Sequence, residues 1–271
     1  MNGADLQRGV RRKLMKIVRY RDRDTGAARY GVLEGETVYA ASGDPFAGLT
    51  KGEAVGQVDS VALLPPIEPG KIVCVGLNYA AHVTESAISE LPEEPVLFMK
   101  PPSAVIGPGE AIEIAHLDHN TDYEAELAVV IGKEARDVDE ADVPRYVLGY
   151  TCANDVSDRV LQRKDGQWVR AKGFDTYCPL GPCIETDLNV ADTKVESRLN
   201  GQVRQSQSTS NMIFSAHKLI SFISHVMTLE PGDVIMTGTP EGVGPMKPGD
   251  TIEIEVGGVG VLKNPVAART A

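Results

Sequence analysis

The chain has 271 residues, 42% of them hydrophobic, and a formal net charge of -11. That fills one large domain, or a large one with a small companion, and the acidic balance argues against a nucleic-acid or anionic-membrane surface as partner. No apolar run reaches the roughly 18 residues of a membrane span. Cys74, Cys152, Cys178 and Cys183 form no CxxC pair or zinc-ribbon spacing, and no secretory signal precedes them. They read as reduced, mostly buried thiols of a cytoplasmic protein.

Residues 1–14 carry Arg8, Arg11, Arg12 and Lys13 without an apolar stretch. They read as a disordered extension, or an upstream start, ahead of "MKIVRYRD". From Met15, the alternating runs "KIVRYRD", "ARYGVLEG" and "ETVYAA" predict a small antiparallel β-rich domain over 15–68. "LLPPIEPGK" punctuates the chain and marks the boundary with a catalytic domain over 69–271. There, "IVCVG", "PVLFMK", "EAELAVVIG", "VLGYTCAND", "VIMTGTP" and "TIEIEVGGVGVL" read as strands. Helical pattern is scarce. "DEADVPRYV" is a short candidate with Pro144 near a first turn. "SAHKLISFISHVM" is the clearest helix, with Ser215 as cap and Leu219, Ile220, Ile223, Val226 and Met227 along one face. The class is α+β, rich in β.

Within "TDYEAELAVVIG", Glu124 and Glu126 stand two positions apart. On a strand such residues share a face, with Cα atoms roughly 6.5–7 Å apart. Two like charges there need a wet face or a cation between them. About thirty residues on, a strand run ends at Asn154 and Asp155. Glu124, Glu126 and Asp155 together would offer three hard oxygens, which suit Mg²⁺ or Mn²⁺, with Ca²⁺ as a substitute, better than zinc. The bland alternative is a solvated sheet face paired with Arg or Lys.

Other clusters stand beside this one. His82 and Glu85 in "GLNYAAHVTE" have i,i+3 spacing, so on a helical turn they share a face. A carboxylate on one imidazole nitrogen makes the other a better base. Lys172 in "VRAKGFDTYCPLGP" and Lys100 in "PVLFMKPPSA" are candidates to neutralise a developing oxyanion. Thr239 in "TGTPEGVGP", with nearby N–H groups, could receive a carboxylate. His217 and His225 read as partly buried structural residues of the helix. His116 and His119, in the polar stretch "AHLDHNTD", read as loop rather than metal site.

In their order and spacing these stretches, with "NDVSDRVLQ", "LEPGDVIMTGTPEGVG" and "GDTIEIEVGGVGVLKNPV", resemble the fumarylacetoacetate hydrolase family over most of the chain. The resemblance implies a mixed β-sandwich roll with a small N-terminal domain, commonly assembled as a homodimer. It implies metal ligation by Glu124, Glu126 and Asp155, and a dyad of His82 and Glu85 on a mobile lid. Lys172 would support an oxyanion, Thr239 would sit near the substrate carboxylate, and Arg159 and Gln162 would form the polar side of the pocket. Many relatives carry a basic residue where this chain has Leu77, so the resemblance does not carry a contribution to anion binding or lid placement over to that position.

The activity this implies is metal-dependent hydrolysis of a carbon–carbon bond in an acylpyruvate. His82 activates water, and the pyruvate enolate is held by the cation and Lys172. Decarboxylation of oxaloacetate ranks second, and isomerisation of a 2-hydroxyhepta-2,4-diene-1,7-dioate third. A metal-stabilised binding protein without turnover is the reading from a different class. The expected partner is a small 2-oxo acid or acylpyruvate.

Overall fold

The computed structural model describes residues 15–85 and 90–270; the side chain of Glu85 and the extension at 1–14 lie outside the described residues. Strands dominate. The largest sheet runs in the order Gly48–Gln57, Thr37–Asp44, Ala28–Glu34, Lys16–Arg21, Cys178–Glu185, Val147–Asn154, Ala125–Ile131, Val234–Met236, Ile72–Gly76 and Val96–Lys100. Only Val234–Met236 and Ile72–Gly76 are parallel neighbours on that path. A five-stranded sheet packs against it: Gln202–Ser208, Lys194–Leu199, Thr251–Val256, Gly260–Ala268 and Ile112–Ile114. A three-stranded sheet joins Ser157–Asp158, Thr121–Tyr123 and Gly244–Met246.

The expected antiparallel strands between Met15 and Leu64 are present, and their sheet does not stop at the boundary. Lys16 and Ile17 pair with Glu185 and Ile184, so the N-terminal strands extend the large sheet.

Every residue of Ala125–Ile131 and of Val147–Asn154 is buried. Both faces of this pair are covered, which explains the near-continuous apolar runs in place of alternation. All four cysteines are free and buried.

Helices are short: α1 (Ala80–Glu85), α2 (Arg159–Asp165), α3 (Val169–Lys172) and α4 (Ala216–Val226). α4 is the helix expected from "SAHKLISFISHVM". The Ser215 side chain accepts from the Lys218 N–H at 3.1 Å and caps it. Leu219, Ile220 and Ile223 are fully buried, but Val226 is 59% exposed, because the helix ends there and its last turn leaves the core. His217 is half-buried and His225 exposed. The segment around Pro144 forms a 3-10 turn over Glu140–Arg145, not an α-helix. Among the described residues no helix is long and apolar enough to cross a membrane.

Candidate active site

The buried pair of central strands ends where the charges begin. Thr121–Tyr123 and Ala125–Ile131 are separated only by Glu124, whose N–H donates to Asn154 Oδ1 at 2.9 Å. Its carbonyl receives the Asp155 N–H at 2.9 Å. These two bonds lock the ends of neighbouring strands together. They set the side chains of Glu124, Glu126 and Asp155 so that one carboxylate oxygen of each lies within 4.8 Å of the others. All three residues are buried, at 4%, 1% and 0% exposure.

Three carboxylates in so dry a place need positive charge. Two come with lysine partners. Lys172 Nζ donates to Glu124 Oε2 at 3.0 Å and to Asp155 Oδ2 at 2.5 Å. Lys100 Nζ donates to Asp155 Oδ1 at 2.6 Å. Arg159 adds an ion pair to Glu124 Oε1 at 2.7 Å and bonds Asp122 Oδ2 through Nε at 2.7 Å. Burial opposes ionisation of Glu124, yet the Lys172 and Arg159 cations outweigh it and hold its carboxyl well below the ordinary range.

Glu126 is different. It has no lysine or arginine partner among the described residues; its Oε2 accepts the Gly238 N–H at 2.7 Å. Burial, then the charges of Asp155 and Glu124, push its carboxyl well above the ordinary range. A buried acid crowded by two others and left without a counter-ion fits a site for a hard divalent cation, with an all-oxygen donor set suited to Mg²⁺ or Mn²⁺.

The turn at Gly238 is built for this contact. Its φ is +96°, and a Cβ there would come within 2.7 Å of the Asn78 side chain. Only glycine meets both demands. Asn78 is buried, donating to the Phe214 and Thr237 carbonyls at 3.0 and 2.7 Å and pinning the turn to the α1 segment. The anion this turn receives is therefore Glu126 itself.

A cavity of about 530 Å³ opens beside the acids. His82, Glu124, Asp155, Arg159, Gln162, Lys172 and Thr239 all line it, drawn from five separate stretches of chain. His82 is buried and rides on α1. Leu77, at φ +59°, turns the chain out of the Ile72–Gly76 strand toward that helix and forms part of the wall. That left-handed backbone is uncommon for a residue with a side chain. Gln162 Oε1 accepts from Arg159 at 2.9 Å, which fixes the guanidinium. The Thr239 hydroxyl is already engaged, donating to the Ala125 carbonyl at 2.9 Å and accepting from Gln205 at 2.7 Å.

Lys100 stands apart from the expected substrate contacts. It is 1% exposed, does not line the cavity, and has its ammonium on Asp155 and the Val156 carbonyl. Asp155, wholly buried, needs a counter-ion on its far side, and Lys100 supplies it.

Sequence reasoning also missed wall residues. Asp122 precedes Glu124 by two, so the alternation Asp122–Glu124–Glu126 was there to be read, and it orients Arg159. Phe98 and Trp168 pack edge to face at 5.2 Å, and the Lys172 ammonium lies 5.0 Å from the Phe98 ring centre. A Cβ on Gly76 would come within 2.9 Å of the Trp168 ring, so this residue must stay small for the aromatic wall to close. No local pattern announces Trp168.

Residues 71–267 match the fumarylacetoacetate (FAA) hydrolase C-terminal model, and residues 15–66 match an Rv2993c-like N-terminal model. The chain belongs to the fumarylacetoacetate hydrolase family.

Its fold is accordingly the mixed β-sandwich roll of that family. Among solved structures, the fumarylacetoacetate hydrolase fold of this chain is similar to the 2-hydroxyhepta-2,4-diene-1,7-dioate isomerase of Mycobacterium marinum. The match has 40% identity and a TM-score of 0.86, and covers 95% of this chain and 100% of the other. Maleylpyruvate hydrolase from Sphingobium sp. SYK-6, solved with manganese(II) and pyruvate, matches at 30% identity and a TM-score of 0.78, covering 94% of this chain and 100% of that one. Among curated relatives, the mitochondrial oxaloacetate tautomerase Fahd2a of Rattus norvegicus is 41% identical over 215 residues, 75% of this chain and 68% of that protein.

Proposed function

We propose that this protein is a divalent-metal-dependent enzyme that moves a proton at the carbon next to the carbonyl of a 2-oxo acid, with enol–keto tautomerisation of an oxaloacetate-like dicarboxylate as its reaction. The observation that carries the reading is that one titratable base, His82, faces the same cavity as two members of a buried acid triad. Proton transfer at an acidified carbon asks for little more than that pairing. The names of the tautomerase and isomerase relatives support the same class of chemistry.

Glu124, Glu126 and Asp155 would hold the cation, whose contribution is Lewis acidity toward the oxygens of a 2-oxo acid. His82 takes the proton from the α-carbon, or returns it. Lys172, held protonated by Asp155 and Glu124 despite its burial, offsets negative charge that develops on substrate oxygen. Arg159 and Gln162 orient the far carboxylate, and the Phe98–Trp168 wall keeps bulk water from the reacting carbon.

A second reading is hydrolysis of a carbon–carbon bond in an acylpyruvate. The cavity volume, about 530 Å³, favours it, since that space exceeds the needs of a four-carbon acid. In that chemistry His82 takes a proton from a water molecule, whose oxygen attacks the distal carbonyl. The substrate in either reading is a small 2-oxo acid, and the assembly we propose is a homodimer.

The test is a panel of oxaloacetate enol and several acylpyruvates, with Mg²⁺ or Mn²⁺ added, following enol absorbance and pyruvate release. Tautomerase activity without pyruvate release supports the first reading, and pyruvate from acylpyruvates the second. His82→Ala lowers turnover by about 10²- to 10⁴-fold while dication binding survives. Absence of metal-dependent turnover across the panel would leave a metal-stabilised binding protein and end both readings.

A further inference from the structure

We propose that His116, His119 and Asp158 form a second metal site, selective for zinc-class ions and separate from the acidic triad. The loop between the strands Ile112–Ile114 and Thr121–Tyr123 carries both histidines. Their rings lie 4.5 Å apart between centroids, with planes 31° from one another. Both Nδ1 atoms face the same oxygen, Asp158 Oδ2, at 3.1 and 2.7 Å. The three candidate donor atoms all lie within 4.8 Å of one another.

The aspartate is fixed from behind. Its other oxygen accepts the Val160 and Leu161 N–H groups at 3.0 Å each, capping α2. The carboxylate is fully buried, and among the described residues no lysine or arginine reaches ion-pair distance of it. Its close partners are the two imidazoles. The His116 ring packs edge-on to Phe174, with centroids 5.4 Å apart, which holds its orientation. The His116 side chain is 41% exposed and that of His119 18%, so the cluster opens to solvent on one side and can admit an ion with its water.

The donor chemistry separates this site from the triad. Two imidazole nitrogens and one carboxylate oxygen are a three-ligand set that suits four-coordinate Zn²⁺, with water in the fourth position. The all-oxygen triad suits Mg²⁺ or Mn²⁺. An ion at the histidine cluster would tie the 115–120 loop to the start of α2. The Arg159 N–H, one residue past the ligand, already donates to the Asn120 carbonyl at 2.9 Å across the same junction. Since Arg159 and Gln162 reach the cavity from α2, the site clamps the helix that presents them. Asp158 lies about forty residues from the histidines in sequence, so spacing alone conceals the cluster.

The experiment is a Zn²⁺ titration of the metal-stripped full chain against a chromophoric chelator, paired with the visible spectrum after Co²⁺ loading. Glu126→Gln disables the triad and isolates the second site. We expect E126Q to retain one zinc equivalent and a four-coordinate Co²⁺ band, both lost in E126Q/H116A/H119A. Zn²⁺ should raise the melting temperature of E126Q and not of the triple variant. His119→Gln in the same background, a milder change on a partly exposed loop, serves if the triple variant does not fold, and it should lose the same equivalent. Equal zinc stoichiometry and an unchanged Co²⁺ band in the histidine variants overturn the proposal. So does a wild type whose zinc binding disappears entirely with Glu126→Gln.

Discussion

Two stretches of this chain place glutamates two apart on neighbouring-strand acids, and they meet opposite fates. In "EAE", Glu124 and Glu126 join Asp155 in a buried triad. In "TIEIEV", Glu253 and Glu255 join Glu196 on the five-stranded sheet. There Arg198 lies 3.1 Å from Glu253 and 2.7 Å from Glu255 and also pairs with Glu196. Lys263 and Lys194 add pairs to Glu253 and Glu196 at 3.0 and 3.1 Å. The Glu253 and Glu255 side chains are 21% and 27% exposed. Every acid of that trio has a basic partner, and Glu253 and Glu255 are partly open to water besides, so nothing is missing. In the buried trio Glu126 has neither. A pair of alternating glutamates therefore says little until the supply of cations around it is counted.

The sharpest way to break this contrast is to remove one acid from each trio. Glu126→Gln, or a chelator added to wild type, should lower turnover by at least about a thousandfold, as expected when Lewis-acid assistance of several kcal/mol is lost. Glu255→Gln should leave turnover within about twofold. Steady-state kinetics on both variants, with dication binding measured in parallel, decides it. Comparable losses in both would mean that burial does not separate the trios.

Counter-ions offer a second comparison, read as stability. Lys100→Met removes the ammonium behind Asp155 and leaves a buried carboxylate short of charge. Breaking one side of such a pair costs about 3–5 kcal/mol. Denaturant unfolding should show this loss, and added Mg²⁺ should recover part of it, because a bound dication stabilises the state that holds it. A Lys100→Met protein as stable as wild type would place Asp155 in a wetter setting than its burial indicates.

A smaller effect follows at the turn that serves Glu126. Gly238→Ala sets a side chain at φ +96° and 2.7 Å from Asn78. The substitution should cost more than about 1 kcal/mol. It should also weaken dication binding, since the Gly238 N–H that holds Glu126 must move.

Much of this was legible before any coordinates. The motif order identified the family, and the strand spacing of Glu124 and Glu126 with a strand end at Asp155 already named the triad, because hard-cation chemistry restricts the residue types. What stayed hidden was long-range. Lys100 looked like a substrate contact because nothing local says that Asp155, fifty-five positions later, lies behind its strand. The N-terminal strands looked separate because their pairing with Glu185 and Ile184 crosses most of the chain. Val226 fits the apolar face of α4 by spacing, yet periodicity cannot say where a helix leaves the core. Asp122 could have been read from the same alternation as the glutamates; Trp168 could not.

The solvated trio makes the smallest prediction, and its sign can be worked out. Burial works against ionisation of Glu196, but Lys194 and Arg198 prevail, and bonds from Lys263 and Arg198 do the same for Glu253; both carboxyls sit below their ordinary values. A carboxyl lowered on folding contributes stability above its unfolded value, near 4.3. That contribution fades as pH falls through the lower folded value. Arg198→Met should therefore cost stability at pH 7 by no more than about 1 kcal/mol, given the solvent screening of partly exposed pairs. The gap between variant and wild type should narrow as pH drops below about 4. Urea midpoints at pH 7 and pH 3 measure both. A gap that stays constant, or widens in acid, would mean that Arg198 acts through packing of its stem and not through charge, and the two trios would then differ in more than their access to water.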